Sequence, residues 1–271
     1  VHVPAWRRVG SLHVMPDSIS NTATDAAVSA FHQAIARLTE LIPGAYTRHG
    51  AAGTRLVFTT FPVATLNTVC VGRERDLDEV EGFAEELSAA GAPWSIQVRG
   101  EVDPPLRQLA VRYGRTGITA LPLLVWDAES LATALPKGAG VRKVSGAETE
   151  VFANALAAGF GMPTEVARLL ALPALLDAPD MNGYILDLHG EAVATGFNVI
   201  AGDHVGMFNG SVAPQHRGNG YYRALVMARL QDAVASGARH AFAQNTPMSR
   251  PLYESLGFRL AETWTYLTPA D

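Results

Sequence analysis

Residues 212–222 read Val-Ala-Pro-Gln-His-Arg-Gly-Asn-Gly-Tyr-Tyr, followed by Leu225, Val226, Leu230, Ala233 and Val234 at helical spacing. A strand ending at Val212, a glycine-bearing turn and a helix to about Ser236 would leave main-chain N–H groups without intrahelical partners, at the positive end of the helix dipole. Such a helix start binds phosphate: Gly218 and Gly220 let an anion approach the main chain, and Arg217 adds charge. A plain strand-to-helix turn needs the same glycines for shape, so the turn alone leaves both readings open. Leu252-Tyr-Glu-Ser-Leu-Gly-Phe258 follows ~30 residues later, within a short helix that Pro251 opens and Gly257 ends.

The order strand, Val-x-Pro-x-x-Arg-Gly-x-Gly turn, long helix, strand ending in Asn245, and short helix carrying Leu252-Tyr253 ahead of Gly257-Phe258 resembles the GNAT acetyltransferase superfamily. The resemblance covers roughly Tyr184 to Leu267. It implies that acetyl-CoA is bound, with its pyrophosphate on the turn formed by Arg217, Gly218, Asn219, Gly220, Tyr221 and Tyr222. It further implies that Val212 directs its N–H at the acetyl carbonyl or pantetheine arm and that Asn245 bonds the pantetheine amides. Ser249 and Arg250 are expected against the cofactor, and Tyr253 is expected to protonate the departing thiolate. Plain alternatives stand beside these roles: Val212 as core, Asn245 as a turn cap before Pro247, Ser249 as a helix N-cap, Tyr253 as a packing residue.

One departure matters. The family reads Arg-x-x-Gly-x-Gly or Ala, so Arg217 and Gly220 match, but Tyr222 stands where a small residue is expected. Reading Gln215-x-x-Gly218-x-Gly220 restores three matches but shifts the motif two residues off its Val212-x-Pro214 anchor. Tyr222 either crowds the helix start against the cofactor or turns its ring away. The general base is the least legible part. His204 ranks first among Asp187, His189, Glu191, Asp203, Asn209 and His216 because imidazole titrates in the useful range. No metal site is expected: no His-rich or paired-carboxylate spacing occurs, and Cys70 is the only cysteine.

The chain has 271 residues, too many for one ordinary GNAT unit, with 48% hydrophobic and 17% charged residues, the make-up of a packed globular protein. A net charge of -5 and the lack of a basic run argue against a nucleic-acid partner. No apolar run approaches ~18 residues, so no membrane span is expected. Residues 1–20, interrupted by Arg7, Arg8 and His13, lack a signal-peptide core, and a cytoplasmic location is expected. Cys70, beside Leu66, Val69 and Val71, reads as a small buried hydrophobe on a strand.

The two halves echo each other at an offset of roughly 145 positions. The C-terminal half reads as helices over 148–159 and from Pro163, a bend at Pro173, strands over 182–188, 191–200 and 204–212, the long helix, a strand over 239–245, and a last strand over 258–267. The N-terminal half reads as a helix over 23–41, strands over 55–60 and 66–71, a helix from Leu77 ending at Gly91, strand 94–98, helix 106–113 and strand 116–126. The expected fold class is α/β (α+β): two tandem GNAT-like domains, residues 1–140 and 141–271, each a mixed, mostly antiparallel sheet flanked by helices. Residues 137–147, with Pro136, Gly138, Gly140 and Gly146, read as the linker. In the first copy Val71-Gly-Arg-Glu-Arg-Asp76 replaces the phosphate turn and Ala110 replaces Tyr253, so that copy reads as degenerate: structural, or one wall of the acceptor pocket. The expected activity is N-acetyl transfer to a small-molecule amine in a cleft between the halves. The rivals are a GNAT-fold protein without acyl transfer, serving as a binding or regulatory module or using thioesters differently, and acetylation of protein N-termini.

Overall fold

The computed structural model describes residues 19–128 and 135–270, so the leader reading of residues 1–18 lies outside the described residues. Helix α1 (Asn21–Glu40) opens where the Ser20 hydroxyl accepts the Ala23 N–H at 3.2 Å. Strands β1 (Tyr46–His49), β2 (Arg55–Phe58) and β3 (Thr68–Val71) follow, then α2 (Leu77–Ala89), β4 (Ser95–Arg99), α3 (Pro104–Arg112) and β5 (Gly117–Asp127). The second run is β6 (Ala139–Val144), α4 (Thr149–Phe160), α5 (Thr164–Leu169), α6 (Pro173–Leu176), β7 (Met181–Leu188), β8 (Glu191–Ala201) and β9 (His204–Val212). It closes with α7 (Tyr221–Ala235), β10 (His240–Gln244), α8 (Arg250–Glu254) and β11 (Arg259–Thr268). No helix among the described residues is long and apolar enough to cross a membrane.

All the strands among the described residues join one mixed sheet in the order β1-β2-β3-β4-β11-β5-β10-β9-β8-β7-β6. Only β3/β4 and β9/β10 are parallel; every other pair is antiparallel. The last strand of each repeat is exchanged: β11 lies between β4 and β5, and β5 between β11 and β10. The two halves therefore share a single sheet. The segment read as a linker is also more ordered than expected, because residues 139–144 pair with β7 as the edge strand β6. Its glycines hid a strand whose order comes from a partner 39 to 49 residues away.

Helix α1, although N-terminal, packs on β8, β9 and β10. Its Phe31 meets Trp264 of β11 edge-on, with ring centroids 4.8 Å apart, and Phe242 of β10 at 5.9 Å. His32 stacks on Trp264 at 6.1 Å with planes 9° apart. Burial, with Arg55, Arg99 and His49 nearby, drops the His32 pKa to about 3. Folded His32 thus stays neutral, while the unfolded chain takes up a proton below about pH 6.5. Stability is lost as pH falls from that value towards 3. Between about pH 7.5 and 5 the wild type should lose about 2 kcal/mol more unfolding free energy than His32→Asn. Urea titrations at both pH values check this; equal losses would contradict it.

Candidate functional site

Strands β9 and β10 pair only over His204↔His240, Val205↔Ala241 and Gly206↔Phe242. Beyond Gly206 each follows its outer neighbour: β10 stays on β5 through Gln244↔Leu123, and β9 stays on β8 through Val212↔Ala194. The two strands separate and open a wedge. The register slips between Thr195 and Phe197, so Asn209 and Gly210 bulge from β9, with Asn209 at φ 50°. Thr195 pins the bulge, its hydroxyl bonding the Asn209 carbonyl at 3.1 Å and the Ser211 hydroxyl at 2.7 Å. The Ala213 N–H bonds the Val193 carbonyl at 3.0 Å. Antiparallel alternation then turns the Val212 N–H away from β8, towards the wedge. The resulting cleft holds about 700 Å³ and is lined from both repeats.

The turn at the wedge mouth has Gly218 and Gly220 at φ 79° and 78°, a left-handed conformation that strains any residue with a β-carbon. The main-chain N–H groups of residues 218–222 have no hydrogen-bond partner among the described residues, and Gly220 caps α7 without a side chain. Five donors therefore stand ready for an anion. Arg217 is placed behind them. Its guanidinium donates to the Val212 carbonyl at 3.1 Å and the Gly159 carbonyl at 2.8 Å, which ties the turn to β9 and α4. Asn219 does not line the cleft; its amide bonds the carbonyls of His216 and Arg217, both at 3.1 Å, and holds the turn in shape. Tyr221 lines the cleft beside Tyr222.

Tyr222 leaves the first turn of α7 and runs inward, away from the turn's amides. Its hydroxyl reaches that of Tyr253 at 3.1 Å, the rings meeting edge-on at 6.2 Å. Gly210 is what admits it, since a Cβ there would collide with the Tyr222 hydroxyl. Burial, reinforced by Tyr253 and opposed by Arg229, pushes the Tyr222 phenol well above its usual range. Tyr253 is 2% exposed and packs edge-on against Phe258 at 4.9 Å. Its hydroxyl is therefore held by a neighbour and does not trail in solvent.

On the far wall, Asn245 is buried, donates to the Ser249 hydroxyl at 3.3 Å, and leaves its Oδ1 without a partner. Ser249 lines the cleft and makes no side-chain cap to α8. Two expected site residues are not brought here. Arg250 lies outside the cleft lining, paired with Glu254 at 2.7 Å on the surface. His204 sits at the opposite end of β9, bonded to Asp203 at 2.7 Å and facing the His240 ring at 4.8 Å. Five residues of strand put it about 16 Å from Asn209. The wedge opens only at the C-terminal end of β9, so a residue at the paired end cannot serve it. Among the described residues no group of three or more His, Cys, Asp or Glu could hold a metal ion.

Two groups escaped the sequence reading. Gln244 lines the cleft, accepts from Tyr266 at 3.0 Å, and has a buried Nε2 without a partner. Arg229, fully buried, donates to Asn198 Oδ1 at 2.9 Å, to the Phe197 carbonyl at 2.7 Å and to the Phe208 carbonyl at 3.2 Å. It clamps β8 to β9 beside the bulge. The signal was present: a charge on the apolar face of the long helix, four residues after Leu225.

Residues 153–258 match the model of the acetyltransferase (GNAT) family. Solved structures with the same fold include a GCN5-related N-acetyltransferase from Kribbella flavida (19% identical, covering 89% of this chain and 96% of that one, TM-score 0.64). A GCN5-related N-acetyltransferase from Sphaerobacter thermophilus is 15% identical over 80% of this chain and 82% of its own, with TM-score 0.55. A tandem GNAT protein from the clavulanic acid biosynthesis pathway is 16% identical over 91% and 97%, with TM-score 0.52. No curated protein matches the chain.

The packing of Tyr222 on Gly210 is testable by a double-mutant cycle. Gly210→Ala should cost about 1–3 kcal/mol by overpacking, and Tyr222→Phe, which removes the atom nearest the new methyl, should recover part of it in the double variant. Additive losses in urea unfolding would contradict the contact.

Proposed function

We propose that this chain, an acyltransferase of the GNAT family, transfers an acetyl group from acetyl-CoA to a small-molecule amine held in the wedge between β9 and β10. The observation that carries this reading is the row of unpartnered amides at residues 218–222 opening into a cleft with an unpaired acceptor on its far wall. The turn, with Arg217 behind it, receives the diphosphate. Asn245 Oδ1 accepts an amide N–H of the pantetheine arm, and Ser249 lies beside it. The Val212 N–H donates to the arm or to the acetyl carbonyl, where negative charge develops. Acetyl-CoA supplies the acyl thioester.

Tyr253 acts as the acid. As the amine nitrogen bonds the carbonyl carbon and the C–S bond breaks, its hydroxyl gives a proton to the leaving sulfur, and the proton the nitrogen loses restores the phenol. Tyr222, hydrogen-bonded to Tyr253 and kept protonated by burial, holds that hydroxyl in place. Residues 141–271 carry the chemistry on this reading, and residues 1–140 act as the opposite wall. In that first repeat β3 and β4 stay paired from Thr68↔Ser95 to Val71↔Val98, so no wedge opens. The carboxylate of Asp76 takes the N–H groups of Asp78 and Glu79 at 2.9 and 3.3 Å, where a phosphate would otherwise bind. Ala110, at the place of Tyr253, is buried in core.

Calorimetric titration should show acetyl-CoA binding at micromolar concentrations; no heat at millimolar concentration would remove the assignment. Tyr253→Phe should lower kcat on the order of 10²-fold or more while leaving KM for acetyl-CoA within about threefold. An unchanged kcat would take Tyr253 out of the chemistry.

A further inference from the structure

The acceptor end of the cleft has an unusual charge balance for a site that takes an amine. Among the described residues lining the cleft, none is Asp or Glu. Its basic side chains, His216, Arg217 and Arg223, all belong to the turn and the first turn of α7, at the phosphate end. The rest of the wall carries no ionised side chain and much of it is apolar, with Phe31 and Ile35 from α1, Val57 from β2, Leu66, and Met207 and Phe208 from β9. The polar groups among them are neutral and mostly engaged. Gln97 accepts the Cys70 thiol at 3.2 Å, and the Thr59 hydroxyl donates to Asn67 at 3.0 Å. Burial pushes the Cys70 thiol up to about 12, so it carries no charge either.

Three consequences point the same way. An ammonium buried here would meet no counter-charge among the described lining residues, which disfavours the charged form. The buried Gln244 Nε2 is a donor in need of a lone pair, and an ammonium offers only donors. The third is proton balance. A neutral amine loses one proton as the C–N bond forms, and the leaving sulfur takes one as the C–S bond breaks, so nothing is left over. An ammonium must first shed another proton, and among the described residues no carboxylate or histidine lines the deep end to receive it. An alkyl amine with pKa about 10.4 is free base in only about one part in 2,500 at about pH 7. An aromatic amine, its lone pair delocalised into the ring, is free base throughout the neutral range.

We infer that the acceptor is an uncharged, weakly basic nitrogen on an apolar body, of the aromatic-amine class, with a lone-pair atom that meets Gln244. This rests on the acetyl-transfer reading above. It also accounts for the absence of a histidine base from the cleft's deep end: the reaction with such an acceptor needs none.

The test follows thiol release from acetyl-CoA with three acceptors: 4-methoxyaniline, its charged relative 4-methoxybenzylamine, and spermidine. The wild type should favour the aniline in kcat/KM by on the order of tenfold or more at about pH 7. That kcat/KM should stay flat over about pH 6 to 9. Thr65→Glu, at a partly exposed position of the wall, adds the missing carboxylate and should shift preference towards the charged amines. A wild type that binds acetyl-CoA but prefers benzylamine or spermidine overturns this inference and leaves the acetyl-transfer reading standing. So does an unaltered preference in folded Thr65→Glu. Failure to bind acetyl-CoA, or to acylate any amine, overturns that reading and the inference with it.

Discussion

Everything at this site depends on two adjacent parallel strands being pulled apart by their outer neighbours. Strand β10 follows β5, and β9 follows β8, so the ladder between them ends at Gly206 and Phe242. A sheet opened this way exposes main-chain donors that must find partners, because an unpaired buried N–H costs about as much as a lost hydrogen bond. Here the Val212 N–H, the Asn245 side-chain oxygen and the Gln244 amide lie along one path, which ends at the exposed amides of the turn. The cleft is an unfinished sheet, and on the proposed reading a ligand with an extended amide-bearing arm completes it.

The strand exchange makes this opening stable. Strand β5 comes from the first repeat and grips β10; β11 comes from the second and lies between β4 and β5. Neither repeat closes its sheet alone. The first repeat has kept the topology and closed its own wedge, with Asp76 capping the helix that would meet a phosphate. What it contributes to the second is a brace on one side and, through α1 and β2, an apolar wall on the other.

The sequence reading succeeded where order is local. The helix start at Tyr221, the glycines at positive φ and the strands at 182–188, 191–200 and 204–212 are each dictated by residues within a turn or two, and the structure has them within a residue or so. It ran out where order comes from a distance. Residues 139–144 become a strand only because β7 lies beside them. The exchange of β5 and β11 has no local signature at all. His204 was chosen for its chemistry, and only the place where the strands separate reveals it to be at the wrong end of β9. Tyr222 broke a motif, and its explanation lies at Gly210, a missing side chain on a neighbouring strand.

On the proposed reading, the free amides of the turn and the acceptor on Asn245 grip one molecule. Backbone and side-chain amide NMR during titration with coenzyme A tests it most directly. Saturable shifts at Gly218, Asn219, Gly220, Tyr221 and Tyr222, together with the Asn245 side-chain amide, are the predicted result. Saturable shifts confined to other residues, or none at millimolar ligand, would contradict it.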